Sequence, residues 1–181
     1  MSDAEYRPAF SYESGVVSAR LAHGERALLR DIRFSLPSGA QMALIGETGS
    51  GKTMLALSIF GLLPENVRMQ GGSVRLDGQA LCGAKALARL RGTKLVYIPQ
   101  SGSEALNPTR TVGRQLCDSL RRLGVKGAQL RTLAMEKLCL AGFDAPETLL
   151  DKYPFQLSGG MAQRVVMAMA STGQPGLVIA D

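Results

Sequence analysis

The residues of this 181-residue chain with the clearest chemical purpose are Gly46-Glu47-Thr48-Gly49-Ser50-Gly51-Lys52-Thr53. They fit the phosphate-binding pattern of a Gly, four free residues and Gly-Lys-Thr. Each residue type has a physical job. Glycines let the backbone turn tightly and approach a ligand with no Cβ in the way. Successive backbone N–H groups can then form an anion nest, to which the start of a following helix adds its positive dipole end. The ammonium of Lys52 suits the outer phosphates of a nucleotide, and the hydroxyl of Thr53 suits Mg²⁺.

A second stretch, Leu157-Ser158-Gly159-Gly160-Met161-Ala162-Gln163-Arg164, places a capping Ser before an Ala- and Met-rich helix. Two glycines at a helix start cost stability, and close approach of another body to that helix end would be their benefit. Two single polar residues follow apolar runs. Gln100 comes just after Leu95-Val96-Tyr97-Ile98-Pro99, and Asp181 comes after Leu177-Val178-Ile179-Ala180. Taken alone, Gln100 reads equally well as a solvated loop residue.

The elements that must position these groups follow from period and turn chemistry. Residues 1–14 read as a loose end, Val16–Leu21 as a strand, and Asp31–Leu36, alternating charged and apolar, as a half-buried strand. Gln41–Ile45 reads as a buried strand feeding the glycine loop, with a helix from Lys52 to about Leu63, where Pro64 stops it. Gly71-Gly72 reads as a turn before a short strand, Ser73–Asp77, and Asp77-Gly78 as another turn. Lys85–Arg91 is expected to be helical and Lys94–Ile98 a buried strand. Val112, Leu116, Leu120 and Leu123 share one helical face, as do Leu130, Leu133, Ala134, Leu138 and Ala141. A further helix runs from Gly159 to about Ser171, and Leu177–Ala180 is a strand. Strands alternating with helices after the glycine loop predict an α/β core with parallel strands, beside an earlier antiparallel β portion. The expected division is 1–99 as nucleotide-binding core, 100–172 as a helical subdomain, and 173–181 as the return to the core.

Composition narrows the function classes. Net charge is +6, but the basic residues are scattered and read as solvated helix faces, including Arg114, Arg121 and Arg122. No basic stripe interleaved with aromatics points to nucleic acid. Cys82, Cys117 and Cys139 lack metal-site or redox spacing and read as reduced thiols of a cytosolic protein. With His23 the single histidine, zinc is not expected. No apolar run reaches the roughly 18 residues that span a bilayer, so a membrane role would need a partner.

Taken in order, these motifs resemble the ATP-binding cassette (ABC) family over about Val16 to Asp181. The resemblance implies a P-loop NTPase fold with an inserted helical subdomain. It implies that Gly46, Gly49, Ser50, Gly51, Lys52 and Thr53 hold ATP, with Lys52 on the β- and γ-phosphates and Thr53 on Mg²⁺. Gln100 matches the glutamine that touches Mg²⁺ and the attacking water at the hinge to the helical subdomain. Ser158, Gly159 and Gly160 match the signature residues that close on the γ-phosphate held by a second ABC ATPase subunit. Asp181 matches the aspartate that holds Mg²⁺ through water. Two such subunits would sandwich two ATP molecules, closure driving a membrane permease and hydrolysis reopening the pair.

Three departures stand out. Met161 occupies a signature position where Gln is common. No aromatic lies near Leu21 to His23, where the family stacks one on adenine; Tyr6, Phe10 and Tyr12 come earlier. The catalytic Glu and switch His that the family carries beyond Asp181 are not in this sequence, which implies a fragment of a longer ATPase with little or no turnover of its own. Gln100 through Gly113, with Leu106-Asn107-Pro108 and Thr111-Val112-Gly113, is similar to the oligopeptide, dipeptide and nickel importer subfamily, as is Tyr153 through Met161. That likeness implies a peripheral subunit on the cytoplasmic face of the inner membrane. It would serve permease subunits and, indirectly, a solute-binding protein, with residues 100–125 docking the permease. Nucleic acid is not an expected partner.

Overall fold

A computed structural model describes residues 9–81 and 83–181. The chain divides into two compact units, one running to Arg91 and the other from Gly92 to Asp181.

The first unit is built on β1 (Phe10–Leu21), which pairs antiparallel with β2 (Gly24–Arg30), β3 (Arg33–Leu36) and β4 (Val67–Leu76). The strand therefore starts six residues before the expected Val16, within a stretch expected to be loose. The cause is burial: Phe10 and Tyr12 sit in the core at 2% and 1% exposure, and Tyr12 Oη lies 2.6 Å from Ser58 Oγ. The expected strand Asp31–Leu36 is shortened at Asp31, which adopts φ 50 and donates its N–H to Gly15 O. Gly71-Gly72 does not turn the chain but lies inside β4, opposite Ser14 and its neighbours on β1. Both glycines have positive φ. A Cβ on Gly72 would collide with the Glu13 carbonyl, and one on Gly15 would lie 2.6 Å from Gln70 O, so this pair of strands needs glycine on both sides. Asp77-Gly78, with φ 49 and 76, is the expected turn and joins β4 to β5 (Gln79–Ala80). Helices α1 (Lys52–Phe60) and α2 (Gly83–Leu90) complete the unit. Gly61, at φ 62, ends α1 before Pro64 can.

The expected strand Gln41–Ile45 is not formed. These residues have no ladder partner among the described strands, and Met42, Leu44 and Ile45 are 48%, 51% and 92% exposed. An apolar run signals burial, but a strand exists only where a neighbour takes up its backbone N–H and C=O groups.

The second unit contains β6 (Leu95–Ile98) and β7 (Leu177–Ala180), paired in parallel in the register Leu95 to Leu177. A parallel pair requires a crossover, which here is α3 (Gly102–Ala105), α4 (Val112–Arg122), α5 (Gln129–Leu140), α6 (Glu147–Leu150) and α7 (Gly159–Ala170). The predicted faces meet in one core: Val112, Leu116, Ala134, Leu138 and Val165 are each 0% exposed. Leu116→Ala should therefore lower the unfolding free energy by about 2–5 kcal/mol. Leu140→Ala, at a position 77% exposed, should change it little. Urea denaturation followed by circular dichroism compares the two.

Candidate functional site

The glycine loop of the first unit has the backbone its sequence demands. Gly49 and Gly51 adopt φ 82 and 95, and a Cβ on Gly46 would lie 2.7 Å from Ser50 Oγ. Gly51 caps α1 in the left-handed conformation with no side-chain hydrogen bond to the helix start, and no acidic residue lies in the first turn. No side-chain cap therefore competes with a ligand at the start of α1. Lys52 Nζ folds back over the loop, donating to Gly46 O and Glu47 O at 2.7 Å each. Those carbonyls hold the ammonium at the mouth of the cradle. The loop is exposed along residues 41–50. Glycine backbone, uncapped helix start and poised lysine together fit a phosphate chain.

The aromatics that precede Leu21, and His23 after it, are placed as follows. Phe10 and Tyr12 are core residues, His23 sits exposed in the turn between β1 and β2, and Tyr6 lies outside the described residues. Of the cysteines, Cys117 and Cys139 are free thiols, and Cys82 lies outside the described residues.

In the second unit, parallel pairing brings two candidate residues to one edge. Ile98 is in register with Ala180, so Gln100 and Asp181 both leave the sheet at the carboxyl ends of β6 and β7. That end of a parallel sheet is where α/β folds bind ligands. Asp181 N donates to Ile98 O at 2.9 Å, and its Oδ2 accepts from Tyr97 Oη at 3.0 Å. Tyr97 was not singled out from the sequence, because its link to Asp181 spans 84 positions. Burial, then the hydrogen bond to Asp181 and its negative charge, push the Tyr97 hydroxyl up from 10.0 to about 12.

Ser158 caps α7, its Oγ accepting from Met161 N at 3.3 Å. Gly159 and Gly160 are exposed, and a Cβ on either would meet nothing within 4 Å. Their small size is therefore not required by packing within the chain and leaves the helix end open to an outside body. Met161 packs against the helical core, which accounts for an apolar residue at that position. Gln163, quoted in that stretch without a structural role, connects this helix to the Gln100 segment. Its Nε2 donates to Pro99 O at 3.4 Å, and Gly102 approaches its backbone so closely that a Cβ there would collide. Arg164 donates to Gly142 O at 2.8 Å and lies 4.4 Å from the centre of the Phe143 ring, fixing α7 on the turn after α5.

Comparison with known proteins adds the following. A family model described as ABC transporter matches residues 29–181. Curated relatives include an oligopeptide transport ATP-binding protein of Mycobacterium tuberculosis, 39% identical over 84% of this chain and 26% of its own length. A dipeptide transport ATP-binding protein of Bacillus subtilis is 38% identical over 84% of this chain and 47% of its own. The ATP-binding protein of a metal-staphylopine import system of Staphylococcus aureus is 32% identical over 87% and 59%. The chain thus spans from about a quarter to under two thirds of the length of these relatives. Among solved structures, the ATP-binding cassette MJ0796, in a dimeric post-hydrolysis state bound to ADP and Pi, superposes with a TM-score of 0.80. That match covers 94% of this chain and 72% of the other at 23% identity, a likeness of fold.

The Tyr97 hydroxyl gives a titration that checks the geometry at Asp181. A pKa raised in the fold contributes stability that is complete below the unfolded value near 10 and is lost as pH climbs towards about 12. Ultraviolet titration should show one tyrosine ionising near pH 12. Tyr97→Phe should remove that step, and Asp181→Asn should move it down.

Proposed function

Because the chain belongs to the ABC transporter family, we propose that it is the nucleotide-binding part of an importer ATPase that takes up peptides or metal chelates. The observation that carries the nucleotide reading is the glycine loop with its uncapped helix start and inward-folded Lys52. The family binds ATP, normally with Mg²⁺, and hydrolyses it. Gly46, Gly49, Ser50 and Gly51 would line the phosphates, and Lys52 would exchange its two carbonyl partners for phosphate oxygens. In the first unit Thr53, at the exposed helix start, would offer its hydroxyl to the metal, and in the second unit Asp181 and Gln100 would offer side-chain oxygens to it. Bound Mg²⁺ would supply charge neutralisation between phosphate oxygens.

The chain's own residues then do the positioning. Tyr97 holds the Asp181 carboxylate in one orientation. Gln163 keeps the Gln100 segment against α7. Ser158, Gly159 and Gly160 leave a helix end open for the nucleotide of a second ABC ATPase subunit. The importer reading rests on the names of the relatives, all transport or import ATP-binding proteins. On that reading the partners are membrane permease subunits and, through them, a solute-binding protein. The place of work is the cytoplasmic face of the inner membrane. No described helix is long and apolar enough to cross a membrane. Residues 100–125, carrying α3 and α4, would meet the permease.

Lys52→Ala should weaken Mg-nucleotide binding by at least about tenfold, since an ammonium–phosphate contact contributes about 1.5–3 kcal/mol. Fluorescence titration with a labelled, non-hydrolysable ATP analogue measures it. Unchanged affinity would overturn the assignment of the loop.

A further inference from the structure

The antiparallel sheet of the first unit carries a polar recess of about 470 Å³, lined from β1, β2 and β4. Strand pairing brings its residues together. Arg20 lies opposite Glu25 of β2, and Ser18 lies opposite Arg68 of β4, with Gln70 two residues further along that strand. The ladder between β1 and β2 shifts register between Val17 and Ser18, a bulge of the kind that re-aims side chains. Ser18 is buried there, at 3% exposure.

Opposite charges directly across a ladder ordinarily attract, yet Arg20 and Glu25 form no ion pair. The Glu25 carboxylate is engaged elsewhere. Its Oε1 accepts from Ser18 Oγ at 2.5 Å and from Gln70 Nε2 at 3.2 Å. These donors fix the carboxylate and leave its Oε2 without a hydrogen bond among the described residues. Arg68 likewise makes no ion pair among the described residues. The recess thus holds an oriented carboxylate beside two guanidiniums with open donors, and with Glu65 its formal charges cancel. A simple anion would be opposed by Glu25, and a simple cation by the two arginines. A ligand carrying one ammonium and one carboxylate finds a partner for each.

We propose that this recess binds a short peptide of two or three residues by its free ends, the ammonium on Glu25 and the carboxylate on Arg68 and Arg20. The length follows from the sheet. Glu25 and Arg68 lie on either side of β1, two strand spacings or about 10 Å apart. An extended chain advances roughly 3.3–3.6 Å per residue, so the ends of two or three residues span that gap as the side chains lean inward. A single amino acid carries its two charges too close together to reach both. The proposal stands on the charges of the recess and needs neither the nucleotide nor the importer reading.

Isothermal titration calorimetry of the full chain tests it, with trialanine as the probe. Trialanine should bind saturably. N-acetyl-trialanine and trialanine amide should each bind at least roughly tenfold more weakly, because each loses one charged contact. Free alanine should bind more weakly than trialanine. Glu25→Gln, which keeps an acceptor for Ser18, should weaken trialanine by a similar factor and leave the acetylated peptide nearly unaffected. Arg68→Gln should do the same with respect to the amide. Arg131→Gln, in the second unit, should change nothing. The blocked peptides are compared on the unaltered chain, so that arm does not depend on the folding of any variant. Absence of trialanine binding at millimolar concentration, equal binding of free and blocked peptides, or alanine binding as tightly as trialanine would each refute the proposal. Displacement of trialanine by millimolar inorganic phosphate would refute it too and identify a simple anion site.

Discussion

The second unit depends on the parallel pairing of Leu95–Ile98 with Leu177–Ala180. A parallel ladder cannot be closed by a tight turn, so everything between the strands must leave the sheet and return. Five helices make that excursion, and their buried faces form a core of their own around Leu116, Ala134 and Val165. The pairing also has a chemical consequence. It places the residues that follow each strand, Gln100 and Asp181, at the same carboxyl edge. The excursion supplies the open end of α7.

The first unit solves a different problem. Its antiparallel sheet is held by the central strand β1, whose Gly15 faces Gly71-Gly72 of β4 at a separation that excludes side chains. The edge of β1 near Phe10 and Tyr12 closes against α1 through Ser58. This anchors the helix whose first turn carries Lys52. Gly51 fits against Leu29 of β2, where a Cβ would lie 2.7 Å from Leu29 Cδ2, so the sheet sets where the glycine loop ends. The loop itself needs no packed core beneath it. Its shape comes from positive φ at Gly49 and Gly51 and from the two carbonyls that hold Lys52.

Polar contacts of long sequence separation do the fine positioning. Tyr97 meets Asp181 across 84 positions, and Gln163 meets Pro99 across 64. Each joins a residue with evident chemistry to a residue with none by itself. The stacked pair Tyr153 and Phe155, with ring centres 5.6 Å apart, lies exposed just before the Ser158 cap. It keeps an aromatic surface beside the end of α7.

The glycine loop, the Ser158 cap, the amphipathic faces of α4 and α5 and the Asp77-Gly78 turn were all legible in the residues. Each is a local matter: a positive φ, a cap or a helical period acts over a few positions. The order of the motifs also indicated the ABC fold, and the relatives and the superposed cassette agree with it. What local pattern could not decide was pairing. Gln41–Ile45 has the composition of a buried strand yet lies exposed, because a strand needs a neighbour that composition does not specify. Gly71-Gly72 has the composition of a turn yet lies within β4, because the opposing Gly15 gives those glycines a close partner instead. The arginines around α4 belong to the same class. Arg114 and Arg121 lie on α4, Arg110 just before it and Arg131 on α5, and only packing turned separate cations into one electropositive surface.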